Sequence, residues 1–273
     1  MKLACFIVTC LISVSGFGQI NNNAAVKSAI PYGNNPQAGH FYKIRGFNMY
    51  VEEYGAGKPL LLIHGNGGSI AAFDQNIPYF ARKYRVIAAD SRAQGKSVDP
   101  GDSLSFEMMA DDEAALLHQL NIDSAYVIGW SDGGIVAIEM AIRHPDNVIR
   151  FAATGADICP DSTGQAIIPS SWTDEKRDYE ASRQKTAMTP DEKRHWKLLT
   201  LDWFQPAIPL SSLQSIRCPA LIIGGDHDLI KIEHTVLIYQ SIPQAALWIV
   251  PNSGHATLRE HAADFNRCVD AFF

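Results

Sequence analysis

Short runs of consecutive apolar residues recur along this chain, each followed by a polar or glycine-rich turn and then by a stretch of helical spacing. Leu60–Ile63 is apolar on both parities, the pattern of a strand buried on both faces, and Arg85–Ala89, Ala125–Ile128, Ile149–Thr154, Pro219–Ile223 and Ala246–Val250 also read as strands. Ahead of them, Phe41–Ile44 and Phe47–Tyr54 flank Arg45-Gly46 and predict an antiparallel hairpin at a sheet edge. Helices are expected over Ala71–Phe80, Phe106–Leu120, Ile135–Ala141, Glu233–Ile242 and Arg259–Phe272. The third should stop at Arg143-His144-Pro145, where proline cannot continue it and His144 serves as a cap or surface residue.

Alternating strands and helices predict an α/β protein, a doubly wound and mostly parallel sheet over residues 40–273. The alternation breaks over about 155–215, where charges mix with Trp172, Tyr179, Trp196, Trp203 and Phe204. This stretch is expected to form an inserted helical cap over the strand ends, with most of its aromatics packing it down.

The first residues follow a different pattern. Lys2, the apolar run Leu3–Val14 and the small residues Gly16 and Gly18 predict an export signal over residues 1–18, cut ahead of Gln19. The run is too short to span a bilayer. Residues 19–39, rich in Asn, Gly, Pro and Ala, predict a flexible lead-in. The mature protein is thus expected to be exported, periplasmic or secreted, with no stable membrane association after cleavage.

A net charge of −6 and a pI near 5.8 argue against a nucleic-acid partner. Cys159, Cys218 and Cys268 lie beyond the signal, with no metal-like spacing and at most one possible disulfide. Cys218 and Cys268 are expected in the core.

The chemistry gathers at strand ends, where open α/β sheets bind ligands. Gly129-Trp130-Ser131-Asp132-Gly133-Gly134 joins a strand to a helix with glycine two residues before and after the serine. Side chains at those two positions would collide in so tight a turn, so the spacing presents Ser131 Oγ at a helix N-terminus, as a nucleophile. His64-Gly65-Asn66-Gly67-Gly68 closes another strand. The backbone N–H groups of Asn66 and Asp132 are the two expected oxyanion donors. Two carboxylates, Asp226 and Asp228, follow Pro219–Ile223, and His255 follows Ala246–Val250. His255 has the position of a base that takes the Ser131 proton, whereas His64 and His227 are expected in structural roles.

The order Ser131, Asp228, His255 and the motifs around them resemble the α/β-hydrolase superfamily from about Phe41 to Phe273, the cap excluded. The resemblance implies the α/β-hydrolase fold, a Ser131–His255–Asp228 triad and an acyl-enzyme. Its Gly-x-x-Asp pattern puts the acid at Asp228, with Asp226 as runner-up. Ala93 departs from the glycine that relatives often carry in the Asp90–Ser97 loop. The implied substrate is a small carboxylic ester. Lactone, amide or carbon–carbon bond hydrolysis on the same triad stays open, as does a non-catalytic ligand-binding protein on this scaffold. Gly129–Gly134 is also similar to biphenyl hydrolase-like, or valacyclovir hydrolase-like, proteins, which implies that Asp132 binds a substrate ammonium. Neither a metal nor a cofactor is expected.

Overall fold

The computed structural model describes residues 30–160, 163–164, 176, 178–179 and 188–273. The expected export signal, the lead-in through residue 29, and Trp172 with much of the cap lie outside the described residues.

The apolar runs form the parallel part of an eight-stranded sheet, with Ala246–Val250 at its half-buried edge and not between two neighbours. Its strands are β1 (Gly39–Ile44), β2 (Phe47–Tyr54), β3 (Lys58–Ile63), β4 (Tyr84–Ala89), β5 (Ala125–Trp130), β6 (Val148–Thr154), β7 (Ala220–Gly225) and β8 (Ala245–Val250). Their order is β1-β2-β4-β3-β5-β6-β7-β8. The β1–β2 and β2–β4 pairs are antiparallel, and the pairs from β4 through β8 are parallel. On β3, Leu61 and Ile63 join one apolar layer while Leu60 and Leu62 join the other. Each such buried aliphatic side chain contributes about 1.5–3 kcal/mol, which is why the run carries no polar parity.

One layer is covered by α2 (Phe106–Gln119), α3 (Asp132–Arg143), α5 (Leu210–Leu213) and α6 (Ile232–Ser241). The other is covered by α1 (Ile77–Phe80), α7 (Thr257–Glu260) and α8 (Ala262–Phe272). The cap contributes α4 (Pro190–Phe204), whose start is a capping box made by Thr189 and Glu192. Among the described residues, no helix is long and apolar enough to cross a membrane.

Three expectations are corrected. The helix over 71–80 is instead a 3₁₀ turn, Ile70–Phe73, followed by the short α1. Asn76 separates them; it is fully buried, and its amide donates to Leu258 O at 3.1 Å and Asn266 Oδ1 at 2.7 Å. The helix over 259–272 is two helices, α7 and α8, joined at His261, which leaves helical geometry with φ −123° and ψ 39°. The lead-in from Ile30 onward is docked: Gly33 and Asn35 each donate a backbone N–H at 2.8 Å to the buried Glu52 carboxylate. That carboxylate also accepts from the hydroxyls of Tyr50 and Tyr54, so its charge is compensated by four donors.

Cys218 is buried and Cys268 half-buried, and neither forms a disulfide; Cys159 Sγ lies 3.0 Å from Thr163 Oγ1. His144 caps the end of α3 and bonds Asp111 at 2.8 Å.

Candidate active site

Ser131 is the single residue between β5 and α3, and its backbone is held at φ 55°, ψ −122°. An L-residue rarely occupies that region. The neighbours show what enforces it. A Cβ on Gly129 would overlap Gly133 O, and one on Gly133 would overlap Ile63 O. Ser131 N donates to Thr154 O at 2.8 Å, and Ser131 O accepts from Gly134 N at 2.7 Å and Ile135 N at 3.1 Å. The turn is therefore fixed from both sides.

His255 Nε2 lies 2.9 Å from Ser131 Oγ, and His255 Nδ1 lies 2.7 Å from Asp228 Oδ1. A carboxylate only accepts, so Nδ1 carries the hydrogen and Nε2 offers its lone pair to the serine hydroxyl. The Asp228 side chain is 1% exposed and also accepts from Ile230 N at 3.1 Å and Gly225 N at 3.4 Å. Asp226, the other acid of this loop, accepts instead from Ser253 N at 3.1 Å. His227 extends into solvent with its side chain 75% exposed.

His64 is fully buried. Its Nε2 accepts from Ser91 N at 3.0 Å, so Nδ1 donates to Gly65 O at 2.8 Å. Burial holds its pKa below the ordinary imidazole value. A neutral His64 thus ties the β3 turn to the loop after β4. That turn lies directly on the serine, since a Cβ on Gly65 would stand 2.9 Å from Ser131 Cβ. Asn66 follows it. Asp132 begins α3, and a first-turn N–H has no acceptor inside its own helix.

The site is acidic as well. Asp132 is 4% exposed, and its Oδ2 has no hydrogen-bond partner. Burial pushes its carboxyl well above the usual range, the charges of Asp202 and Asp157 add to this, and the Asn66 amide opposes it. Asp202, on α4, is pushed up to about 6 by burial, against the Asn66 amide and His255.

Three residues here have roles that the sequence reading did not assign. Asp202 and its bond to Asn66 come from the cap, where no pattern fixes position. Trp130 Nε1 donates to His255 O at 2.9 Å. Gly155 directly follows β6 with φ 63° and leaves room for the imidazole. A glycine straight after a buried strand, at the same sheet edge as the other groups, is the one signal that was available.

Residues 58–202 match the family described as alpha/beta hydrolase fold, a span of more than half the chain. The chain belongs to this family. The hydrolase is 27% identical over 274 residues to the 2-hydroxymuconate semialdehyde hydrolase of Pseudomonas sp. (strain CF600), covering 88% of this chain and 95% of that protein. It is 25% identical over 248 residues to the human serine hydrolase BPHL, covering 84% of each. Among solved structures, a meta-cleavage product hydrolase from Pseudomonas fluorescens IP01 (CumD), as a mutant complexed with acetates, superposes with a TM-score of 0.68. That pair is 25% identical and covers 88% of this chain and 98% of the other. The expected mostly parallel α/β-hydrolase fold and the biphenyl hydrolase-like kinship are both borne out. The hydrolase is an enzyme acting on small molecules, in a family whose members differ in the bond they cleave.

Proposed function

We propose that the hydrolase cleaves a small carboxylic ester through an acyl-enzyme on Ser131. His255 takes the Ser131 proton as Oγ attacks the carbonyl carbon and returns it to the departing alkoxide. Asp228 holds the imidazole in the tautomer that allows this. The N–H groups of Asn66 and Asp132 receive the developing oxyanion, each donor contributing about 2.7–4 kcal/mol to the transition state. Water, deprotonated by the same His255, then releases the acid. The single observation that carries this reading is the unbroken relay Ser131–His255–Asp228, at 2.9 Å and 2.7 Å, on a serine held at φ 55°.

The relatives differ in what their names say they cleave, and the acidic surroundings of Ser131 favour one side. The substrate named for the Pseudomonas relative, 2-hydroxymuconate semialdehyde, is a carboxylate. A carboxylate brought beside the buried Asp132 and Asp202 would be desolvated and would push their carboxyls still further toward the neutral form. A neutral or cationic ester suits it better. The buried Asp132 carboxylate with its unpartnered Oδ2 further supports a substrate ammonium beside the scissile carbonyl.

A fluorophosphonate probe tests the covalent step. It should label the wild type stoichiometrically and fail on Ser131→Ala, whose kcat on p-nitrophenyl esters should fall by about 10⁶. An unlabelled wild type sinks the mechanism. The export reading is checked by intact mass of the secreted or periplasmic form, which should begin at or near Gln19; a mass that keeps residues 1–18 refutes it.

A further inference from the structure

Asn66 stands between Gly65 and Gly67, the latter at φ 63°, in a turn that glycine makes permissive. Backbone preference alone does not fix where the Asn66 N–H points. Its side chain is held from outside the turn. The Asn66 amide donates to Leu198 O at 3.1 Å and to Asp202 Oδ1 at 2.8 Å, and it also faces the Asp132 carboxyl. The two acceptors are four residues apart, on one face of α4.

Helix α4 is itself fastened to the body of the protein. Lys197, buried on the same helix, donates to Asp99 Oδ2 at 2.8 Å and Gly101 O at 2.7 Å. Asp99 also meets Arg92 at 3.1 Å, and Arg92 grips Asp112 of α2 with bonds of 2.6 and 2.7 Å. Burying four charges is costly unless the geometry is good. Here each charge has an opposite partner, and the result is a cap helix with a fixed place over the β3 turn.

We propose that Asp202 is a positioning residue for the oxyanion loop: from the cap helix it holds the Asn66 side chain and so aims the Asn66 backbone N–H at the carbonyl oxygen of a substrate on Ser131. The cap is then part of the catalytic geometry as well as a cover. This rests on the serine-hydrolase reading above. It also assigns the Asn66 side chain a use that the oxyanion role of its backbone does not require.

The experiment is steady-state hydrolysis of p-nitrophenyl acetate, a neutral ester, by Asp202→Ala, Asp202→Asn, Asn66→Ala and the double variant Asp202→Ala/Asn66→Ala. Losing the hold on one oxyanion donor should lower kcat by about ten- to a hundredfold in Asp202→Ala and in Asn66→Ala, with KM little changed. The double variant should match Asn66→Ala, because both changes cut the same link. Asp202→Asn should keep most of kcat, since its amide oxygen still accepts from Asn66. An unchanged kcat in Asp202→Ala, multiplicative losses in the double variant, or equal losses in Asp202→Asn and Asp202→Ala would each overturn the proposal, the last by pointing to a role for charge. If Asp202→Ala does not fold, Asn66→Ala decides alone: full kcat there refutes the link. Should Ser131→Ala also retain turnover, the serine-hydrolase reading fails instead.

Discussion

A Cβ on Gly155 would stand 2.8 Å from His255 Cε1 and 2.9 Å from His255 Nδ1. The residue directly after β6 therefore sets the position of the imidazole by leaving a side chain out. Gly155 has φ 63°, so alanine there adds about 1–2 kcal/mol of backbone strain to the steric conflict. Gly155→Ala should lower kcat by about ten- to a hundredfold, with a smaller effect on KM, because the histidine can yield only by lengthening its bonds to Ser131 and Asp228. Steady-state kinetics on p-nitrophenyl acetate, paired with a thermal melt, check this. Full kcat in a folded variant would show that the imidazole tolerates the displacement.

Asp226 and Asp228 are two residues apart, and only Asp228 bonds His255. Asp228→Asn should lower kcat by about 10⁴, because an amide at this point favours the wrong imidazole tautomer. Asp226→Asn should cost far less, since its carboxylate braces the Asn252–Ser253 backbone and meets the exposed His227, away from His255. Comparing kcat for the two variants settles the assignment; the reverse ranking would transfer the acid's role to Asp226.

Much of this was legible in the chain, for identifiable reasons. A run such as Leu60–Ile63 reads as a buried strand because both of its faces meet an apolar layer. Ser131 was readable because its turn tolerates only glycine at 129 and 133, a steric fact that leaves a trace in the sequence. Ala93 departs from a glycine pattern and still adopts φ 64°, so there the loop imposes the conformation on the residue. What failed depended on distant partners. The break at Asn76 is set by Leu258 and Asn266, some 180 residues away and invisible to local periodicity. Ile30 onward looked flexible because its anchors, the buried Glu52 and the Tyr54 ring that meets Tyr32, lie about twenty residues on in β2. Asp202 meets Asn66 across a cap whose sequence carries no motif.

Glu113 gives a pH-dependent test of the core. It lies in α2, 1% exposed, with Oε2 unpartnered, and burial, with Asp112 adding, pushes its carboxyl from 4.5 up to about 8. The folded value lies above the unfolded one. The stability of the protonated form is therefore fully present below pH 4.5 and lost as pH rises toward and through 8. Glu113→Gln removes this titration. Urea unfolding at pH 5 and pH 8 should show the variant gaining on the wild type at the higher pH. A difference that does not change with pH would mean the carboxyl is charged in the fold.

Asp132 provides the test of the substrate class. A negative charge next to a developing oxyanion is unfavourable in a dry site, and Asp132 sits there nearly fully buried with one oxygen unpartnered. A helix-start acid gains only about 0.3–1 kcal/mol from the dipole, little against the desolvation of that carboxylate. A substrate ammonium would supply the missing partner. It would also favour the ionised carboxylate and offset its charge near the reacting carbonyl, since an α-ammonium is only one carbon away from that carbonyl. The measurement uses alanine p-nitrophenyl ester and propionic acid p-nitrophenyl ester, which differ only in the α-ammonium. Wild type should favour the cationic ester, and Asp132→Asn should lose that preference by roughly 2–5 kcal/mol in kcat/KM if the pair is buried. Equal effects on both esters would reduce Asp132 to a helix-start residue that lends its backbone N–H, and would return the substrate class to open.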